Sequence, residues 1–333
     1  MLLFHSLRDG QVRKDMPERS ISEVRQLCFQ IFYSCSQKCI FCSESRNNER
    51  FNQFPIQDKE VARVLLTQRR RGVDSVMFTG GGEPTQHPQF PGVLRMAKAL
   101  GLRTSVTTNG CRLSDGGFAR KVLPLLDEIC LSIHGDCPSL HDGITRTPGS
   151  FARLMSAYRN VRDFSKTPLT TFTTVTRQNW RRMAALTRFV LGLDGVRYCD
   201  LVQVAPQGRA AEAYARLVVP LSWWRGKLPG LMRQAGTHAG RLRFAGLPLC
   251  VLGSYRAQSH DLRPVPFVSV GRNLAEGVAE IIEVAHVLLA GEDRLRPAIC
   301  THCAWARDCA GISEQYLARF GTNELRPRGS DAD

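Results

Sequence analysis

Three cysteines lie close together near the start of the chain. Cys35, Cys39 and Cys42 are spaced four and three positions apart in the run Cys-Ser-Gln-Lys-Cys-Ile-Phe-Cys. Three thiolates from one tight loop can bind three irons of a [4Fe–4S] cube and leave the fourth iron free for chemistry. A zinc site is the alternative, but structural zinc normally takes four ligands, and no obvious fourth lies nearby in the sequence. These residues are called the first cysteine set below.

Four more cysteines form a second cysteine set. Cys300, Cys303 and Cys309 follow a Cys-x2-Cys-x5-Cys spacing, and Cys250 precedes them in Gly-Leu-Pro-Leu-Cys. Four thiols can saturate a second [4Fe–4S] cluster or a zinc ion. The stretch 311–333 contains no further cysteine.

The composition limits the class of protein. The chain has 333 residues, 12 cysteines and a formal net charge of +15. No apolar run reaches the roughly 18 residues of a membrane span, and the apolar start Met1–Phe4 is too short for a signal peptide. We therefore expect a cytoplasmic protein whose cysteines bind metal instead of forming disulfides. Most of the five remaining cysteines are predicted to be small core residues: Cys28, Cys111, Cys130, Cys137 and Cys199.

The positive charge allows two interpretations. The excess is mostly arginine and is spread along the chain, which is typical of a generally basic surface. The alternative is attraction to an acidic partner such as a nucleotide-like substrate, an acidic peptide or RNA.

Strands alternate with helices over the first 210 residues or so, which predicts βαβ units and a parallel sheet. Candidate strands are 27–32, 73–78, 102–107, 128–133, 169–174 and 197–204, and candidate helices are 57–71, 89–100, 114–125, 149–164 and 180–193. The order suits a partial (β/α)6 barrel. Later we expect a helix at 212–218, a break at Trp223-Trp224 and Pro229-Gly230, a short strand before Leu247, a helix at about 276–290 and a helix after the second cysteine set.

Suggestive motifs follow successive strands. The first cysteine set follows strand one, Thr79-Gly-Gly-Gly-Glu-Pro-Thr85 follows strand two, Thr107-Thr-Asn-Gly110 follows strand three, and Leu131-Ser-Ile-His-Gly135 follows strand four. The carboxyl ends of parallel strands meet at one edge, so we expect one shared site there.

Together these motifs resemble the radical S-adenosylmethionine (SAM) superfamily over residues 26–210. The resemblance implies that the open iron is chelated by the amino and carboxylate groups of SAM. An electron from the cluster then cleaves SAM to methionine and a 5′-deoxyadenosyl radical, which abstracts a hydrogen atom. The resemblance also implies an electron donor such as flavodoxin or ferredoxin.

The same resemblance implies roles for individual residues in binding SAM. The adenine would lie against Phe41 and the backbone near Val204. The amino group would meet the motif that contains Gly81, Gly82, Glu83 and Pro84, and the carboxylate would pair with Arg146. Ser132 would contact the ribose or the carboxylate. Asn109 belongs to a Thr-Asn-Gly ending common in the superfamily, although an ordinary Asn-Gly turn explains it equally well. His134 departs from the usual Ser-x-Asp-Gly motif, and a histidine without catalytic duty is the alternative there.

The second cysteine set resembles the shortened, twitch-like form of the SPASM extension, which carries one auxiliary cluster. The predicted divisions are an N-terminal extension (1–25), a radical SAM core (26–210), an auxiliary cluster region (211–327) and a tail (328–333).

The resemblance leaves the substrate open. We expect hydrogen abstraction from a peptide precursor or a small natural-product-like metabolite, leading to oxidation or crosslinking. Alternatives are a sugar or nucleoside dehydrogenase, epimerase or decarboxylase, an RNA-modifying enzyme, and a non-enzymatic cluster-bearing or zinc-stabilised binding protein. Nucleic acid is not the expected partner, since no RNA-binding module is recognisable. Cys137 is a weak candidate hydrogen donor, and an incidental loop cysteine is the favoured interpretation.

Overall fold

A mostly parallel sheet forms the centre of the molecule in the computed structural model, which describes residues 24–262, 266–275, 278–286 and 294–329. The strands are β1 (Gln26–Phe29), β2 (Ser75–Phe78), β3 (Arg103–Thr108), β4 (Glu128–Ser132), β5 (Leu169–Val175), β6 (Val196–Gln203), β7 (Leu242–Ala245), β8 (Phe267–Ala275), β9 (Val278–His286), β10 (Arg294–Leu295) and β11 (Ile312–Ser313).

The main sheet follows the order β7-β6-β5-β4-β3-β2-β1-β8-β9. Its neighbouring strands are parallel except for β8 and β9, which pair antiparallel. The six predicted strands are β1 to β6, in chain order, and the predicted short strand before Leu247 is β7. The partial barrel predicted from the sequence is confirmed, and β7 and β8 extend it at both edges.

Helices cover the sheet as the apolar spacing predicts. They are α1 (Ser45–Phe51), α2 (Asp58–Arg70), α3 (Phe90–Ala99), α4 (Gly116–Val122), α5 (Pro138–Thr145), α6 (Ser150–Phe164), α7 (Met183–Leu191), α8 (Arg209–Glu212), α9 (Tyr214–Leu217), α10 (Leu221–Ala235), α11 (Leu249–Leu252) and α12 (Glu314–Phe320). In α2, for example, Val61, Val64 and Leu65 are buried at three-to-four spacing. The short helices α1 and α5 were not predicted.

The core lies between sheet and helices. Strand β5 is buried along its whole length, as expected for a strand covered on both faces. A smaller apolar group, Phe172, Val202 and Ala245, packs on neighbouring strands apart from the main core. No helix among the described residues combines the length and the apolar character needed to cross a membrane.

Helix α10 corrects the predicted break at Pro229-Gly230. The helix continues through Pro229, although an interior proline removes one backbone hydrogen bond and costs about 3 kcal/mol. Leu221, Trp224, Leu228 and Leu231 are buried along one side of it. Burial of this apolar face offsets the free-energy cost of the proline, so the helix continues where the sequence predicted a break.

The prediction of a helix at about 276–290 is also wrong over the residues that the structure describes. Residues Val278–His286 form β9, paired antiparallel with β8, which itself pairs parallel with β1. The short run Val-Ala-Glu-Ile-Ile-Glu-Val-Ala suits a helix or a strand by its apolar pattern, and pairing with β8 decides the outcome. The rest of that segment, and residues 1–23 of the predicted N-terminal extension, lie outside the described residues.

Candidate active site

A cleft of about 1010 Å³ lies at the carboxyl ends of the parallel strands. It is lined by all three thiols of the first cysteine set and by residues that follow or end β2 to β6, among them Thr79, Glu83, Asn109, Ser132, His134, Thr174 and Gln203. The structure thus brings together the motifs that were predicted to share one edge.

The first cysteine set enters this cleft on the loop 35–42, called the cysteine loop. The main-chain N–H of Gln37 donates to Cys35 Sγ at 3.4 Å, and Asn109 Nδ2 approaches the same sulfur at 3.7 Å. Burial raises the pKa of the Cys35 thiol to about 12 and that of Cys42 to about 11. A thiolate here therefore needs positive charge beside it, which bound iron supplies. Three thiols directed into one open cleft suit a cluster with a free iron.

The glycine-rich loop after β2 packs against the chain that leads into the cysteine loop. Gly82 N donates to the carbonyl of Phe32 at 2.6 Å, and Glu83 N donates to that of Ser34 at 2.9 Å. A Cβ on Gly82 would overlap the Ser34 carbonyl, and Gly81 has a left-handed φ of 61° with Phe32 close by. These glycines are needed so that two protein segments can meet, a role the motif alone did not reveal.

The Glu83 carboxylate lines the cleft and is held in place by hydrogen bonds from neighbouring residues. Its Oε1 accepts from Thr85 Oγ1 and Thr108 Oγ1, both at 2.6 Å, and its Oε2 accepts from Asn109 N at 2.8 Å. Burial raises the pKa of Glu83, although these hydrogen bonds act in the opposite direction. The bonds tie the β2 loop to the end of β3 and fix the orientation of the carboxylate.

The end of α5 supports the cysteine loop from another side. Lys38 N and Ile40 N donate to the carbonyls of Thr145 and Ile144, each at 3.0 Å. Arg146 follows at the C-cap of α5 with a left-handed φ of 49° and is exposed. It is not among the residues lining the cleft.

Asp142 holds α5 against the start of α6. Its carboxylate accepts from Gly149 N at 2.6 Å, Ser150 Oγ at 2.8 Å and Phe151 N at 2.8 Å. These bonds form an internal cap at the start of α6 that keeps the end of α5 in place beside the cysteine loop.

Arg209 supports the cysteine loop from the side of β6 and was missed by the sequence analysis. Its Nη1 donates to the carbonyl of Cys39 at 2.8 Å, and its main-chain N–H donates to that of Cys42 at 3.0 Å. The adjacent Gly208 leaves no room for a Cβ beside the carbonyls of Cys42 and Ser43. The Gly208-Arg209 pair that follows strand six is the sequence feature that could have predicted this contact.

The remaining predicted SAM-binding residues divide by position. Phe41, Gly82, Glu83, Asn109 and Ser132 line the cleft, whereas Gly81, Pro84 and Val204 lie directly beside lining residues. Cys137 is the N-cap residue of α5, with its Sγ 3.5 Å from Ser139 Oγ, and is not among the lining residues.

All four thiols of the second cysteine set line one cavity of about 380 Å³. Main-chain N–H groups of Leu249 and Gly311 donate to Cys309 Sγ, and that of Arg328 donates to Cys303 Sγ, each at 3.4 Å. Such N–H···S contacts tune iron–sulfur clusters. Among the described residues, no three His, Cys, Asp or Glu side chains lie close enough together to hold a single metal ion. A cube places each ligand sulfur on a different iron, so its thiols are spread more widely than those of one ion.

The fold is therefore a partial α/β barrel with a cysteine-lined cleft at the carboxyl ends of its strands. Residues 29–190 match the family model described as the radical SAM superfamily. The chain therefore carries a radical SAM domain over these residues, which confirms the resemblance seen in the sequence. A domain of this superfamily implies a [4Fe–4S] cluster and SAM as cofactors.

Curated relatives of the chain differ in the activity that their names state. The chain is 26% identical over 200 residues to a probable GTP 3′,8-cyclase of Saccharolobus islandicus, covering 60% of this chain and 63% of that protein. It is 28% identical over 193 residues to the PqqA peptide cyclase of Rhodopseudomonas palustris, covering 58% of this chain and 50% of that protein.

Solved structures share the fold. SuiB of Streptococcus suis, bound to the precursor peptide SuiA, superposes with a TM-score of 0.56 at 16% identity, covering 77% of this chain and 60% of that chain. The chain thus spans less than two thirds of the length of these relatives.

Proposed function

We propose that this protein holds a [4Fe–4S] cluster through Cys35, Cys39 and Cys42, and that it abstracts a hydrogen atom from a peptide precursor or a small natural-product-like metabolite. The observation that carries the proposal is the shared cleft of the first cysteine set, Glu83 and Asn109. When bound, the cluster and SAM supply a 5′-deoxyadenosyl radical through one-electron cleavage of SAM.

The chain's own residues would hold SAM across the cleft. The carboxylate of Glu83 is buried and fixed by three neighbours, so it is arranged in advance to accept from the SAM ammonium group. Phe41 supplies an aromatic surface for adenine, and Ser132 supplies a hydroxyl from the end of β4. We assign supporting contacts to Gly81, Gly82, Pro84, Asn109, Arg146 and Val204. Of these, Arg146 does not line the cleft.

Among the described residues, the carboxyl groups that line the cleft are those of Glu44 and Glu83. They suit the cationic groups of SAM. The similarity to PqqA peptide cyclase supports a peptide substrate, and oxidation or crosslinking of a peptide is the reaction we infer.

The second cysteine set would hold an auxiliary [4Fe–4S] cluster, with zinc as the competing occupant. Four thiols saturate either group, and we favour a cluster because the first cysteine set already assigns that cofactor to the protein. The N–H···S contacts to Cys303 and Cys309 would then tune its potential. We expect an electron donor of the flavodoxin or ferredoxin type to reduce the protein.

The test of the proposed function is reductive SAM cleavage. Protein reconstituted with iron and sulfide under anaerobic conditions is mixed with SAM and dithionite, and 5′-deoxyadenosine is measured. Release of 5′-deoxyadenosine that requires both protein and reductant is expected. A protein that carries the cluster, binds SAM and releases none under any reducing condition would contradict the proposal.

A further inference from the structure

His134 lies at the point where β4 opens into the cleft, and its ring is fixed from several sides. It is 3% exposed yet lines the cleft beside Ser132 and Thr174. Its ring lies edge-on to Phe41 at 4.6 Å between centroids and 68° between planes, and it stacks on His141 at 5.8 Å. Rotation of the imidazole is therefore restricted on both sides.

The hydrogen bonds of His134 determine which ring nitrogen carries the proton. The main-chain N–H of Thr174 donates to Nδ1 at 3.3 Å. An amide nitrogen can only donate, so Nδ1 must carry the lone pair and, in the neutral ring, the proton sits on Nε2. Burial, and then the neighbouring His141, lower the pKa of His134 well below 6.5, so the ring stays neutral at physiological pH.

The Nε2–H of His134 is left as an unused donor. Among the described residues it has no hydrogen-bond partner, whereas the main-chain groups of His134 are both bonded, to His141 Nδ1 at 3.2 Å and to Asn179 Nδ2 at 3.1 Å. A donor that faces the cleft and has no protein partner is available to an acceptor atom of a ligand.

We propose that Nε2 of His134 donates a hydrogen bond to an acceptor atom of the nucleoside half of bound SAM. The inference rests on the proposed function, because it takes the cleft to be the SAM site. The ring stands beside Phe41, the surface we assign to adenine, and the purine nitrogens and ribose oxygens are the acceptors within that half of SAM. The aspartate of the motif that this chain resembles can only accept when ionised, so the histidine replaces an acceptor with a donor at this place.

The experiment uses the reconstituted holoenzyme and three substitutions at one position. In His134→Gln the amide nitrogen can occupy the place of Nε2, in His134→Asn an amide reaches only the place of Nδ1, and in His134→Phe the ring is kept without a donor. Dissociation constants are measured for SAM, for 5′-deoxyadenosine and for methionine. We expect the Asn and Phe variants to bind SAM and 5′-deoxyadenosine about 3- to 10-fold more weakly, as for loss of one neutral hydrogen bond, with methionine unchanged. The Gln variant should stay within about 2-fold of the wild type.

A matched control separates binding from packing. His141 belongs to the same buried stack but does not line the cleft, and its Nδ1 accepts from His134 N. In His141→Asn the amide oxygen can still accept there, so we expect a lower melting temperature with an unchanged SAM dissociation constant. Iron content and melting temperature are recorded for every variant.

Three outcomes would overturn the inference. One is an unchanged SAM affinity in the Asn and Phe variants, and another is a Gln variant as weak as Phe. The third is a loss confined to methionine. A wild-type holoenzyme that carries its cluster but does not bind SAM would overturn both the inference and the proposed function, whereas normal SAM cleavage with insensitive His134 variants removes the inference alone.

Discussion

The two cysteine sets are held in different ways. The backbone of the cysteine loop is hydrogen-bonded to the end of α5 and to Arg209 at the start of α8, and the Asn109 side chain at the end of β3 approaches the Cys35 sulfur. Its thiols face an open cleft of about 1010 Å³. The second set draws its thiols from α11 and from a segment fifty residues later, around a cavity of about 380 Å³.

Within the second region, the end of the chain is hydrogen-bonded to the start of α10. The Glu324 carboxylate accepts from Leu221 N at 3.1 Å and from Ser222 N at 3.3 Å, and Tyr316 OH also donates to it. These bonds cap the start of α10, whose own N-cap residue, Pro220, has no capping side chain. The comparison teaches that the strand ends of the barrel build the open site, whereas α11 and the segment between β10 and β11 build the second.

The largest expected difference between the two sites is in metal content. Wild-type protein should hold about eight irons, and Cys35→Ala/Cys39→Ala/Cys42→Ala about four, because each cube carries four. Iron and zinc are measured by elemental analysis after anaerobic reconstitution. Four irons in the wild type with none in the variant, accompanied by zinc, would assign the second set to zinc and remove the auxiliary cluster.

The open site should also depend on the charge of Glu83. Glu83→Gln removes the negative charge that we assign to the SAM ammonium group, and the loss of a charge-assisted contact should weaken SAM binding by about one to two decades. Thr85→Val is the matched control, because it removes one hydrogen bond to the same carboxylate and keeps the charge. Equal SAM affinities in Glu83→Gln and wild type, with the cluster intact, would defeat the assignment.

A smaller effect, on stability, is expected from Asp142, which holds α5 beside the cysteine loop. Although partial burial raises the pKa of Asp142, hydrogen bonds from Phe151, Ser150 and Gly149 hold it below its usual range. The ionised carboxylate is therefore favoured in the folded state, and its contribution is present above about pH 4 and is lost as the pH falls through the lowered pKa.

Asp142→Asn should consequently lower the free energy of unfolding by about 1–3 kcal/mol near neutral pH and by less in acid. Chemical denaturation at several pH values measures this. A difference between wild type and variant that does not shrink on acidification would show that the carboxylate charge is not what holds α5.

The smallest expected effect is that of Cys137→Ala. Because Cys137 is not among the residues that line the cleft, product formation should be nearly unchanged once a substrate is known. Loss of product with continued release of 5′-deoxyadenosine would instead make this thiol a hydrogen donor.

The sequence predicted the barrel well because its signals are local and repeated. Apolar periodicity located β1 to β6 and the long helices, and motif order placed Glu83, Asn109 and Ser132 at one edge. Contacts between distant segments have no local signature. Neither the bond from Arg209 to Cys39 nor the packing of Gly82 on Ser34 could be read from residues more than forty positions apart.

The second region was predicted less well for the same reason. Pro229-Gly230 is a strong local signal for a break, yet the buried face of α10 overrides it. The stretch Val278–His286 has no decisive periodicity, and only its pairing with β8 makes it a strand. In both places long-range packing determines the structure.

The most direct test of the contrast between the two sites is 5′-deoxyadenosine release by two matched triple variants. One lacks Cys35, Cys39 and Cys42, and the other carries Cys300→Ala/Cys303→Ala/Cys309→Ala. Both are reconstituted anaerobically and supplied with SAM and dithionite. The account predicts no release from the first variant and a rate comparable to wild type from the second, which should retain about four irons. Release from the first variant, or an equal loss in both while the second keeps its irons, would contradict the account.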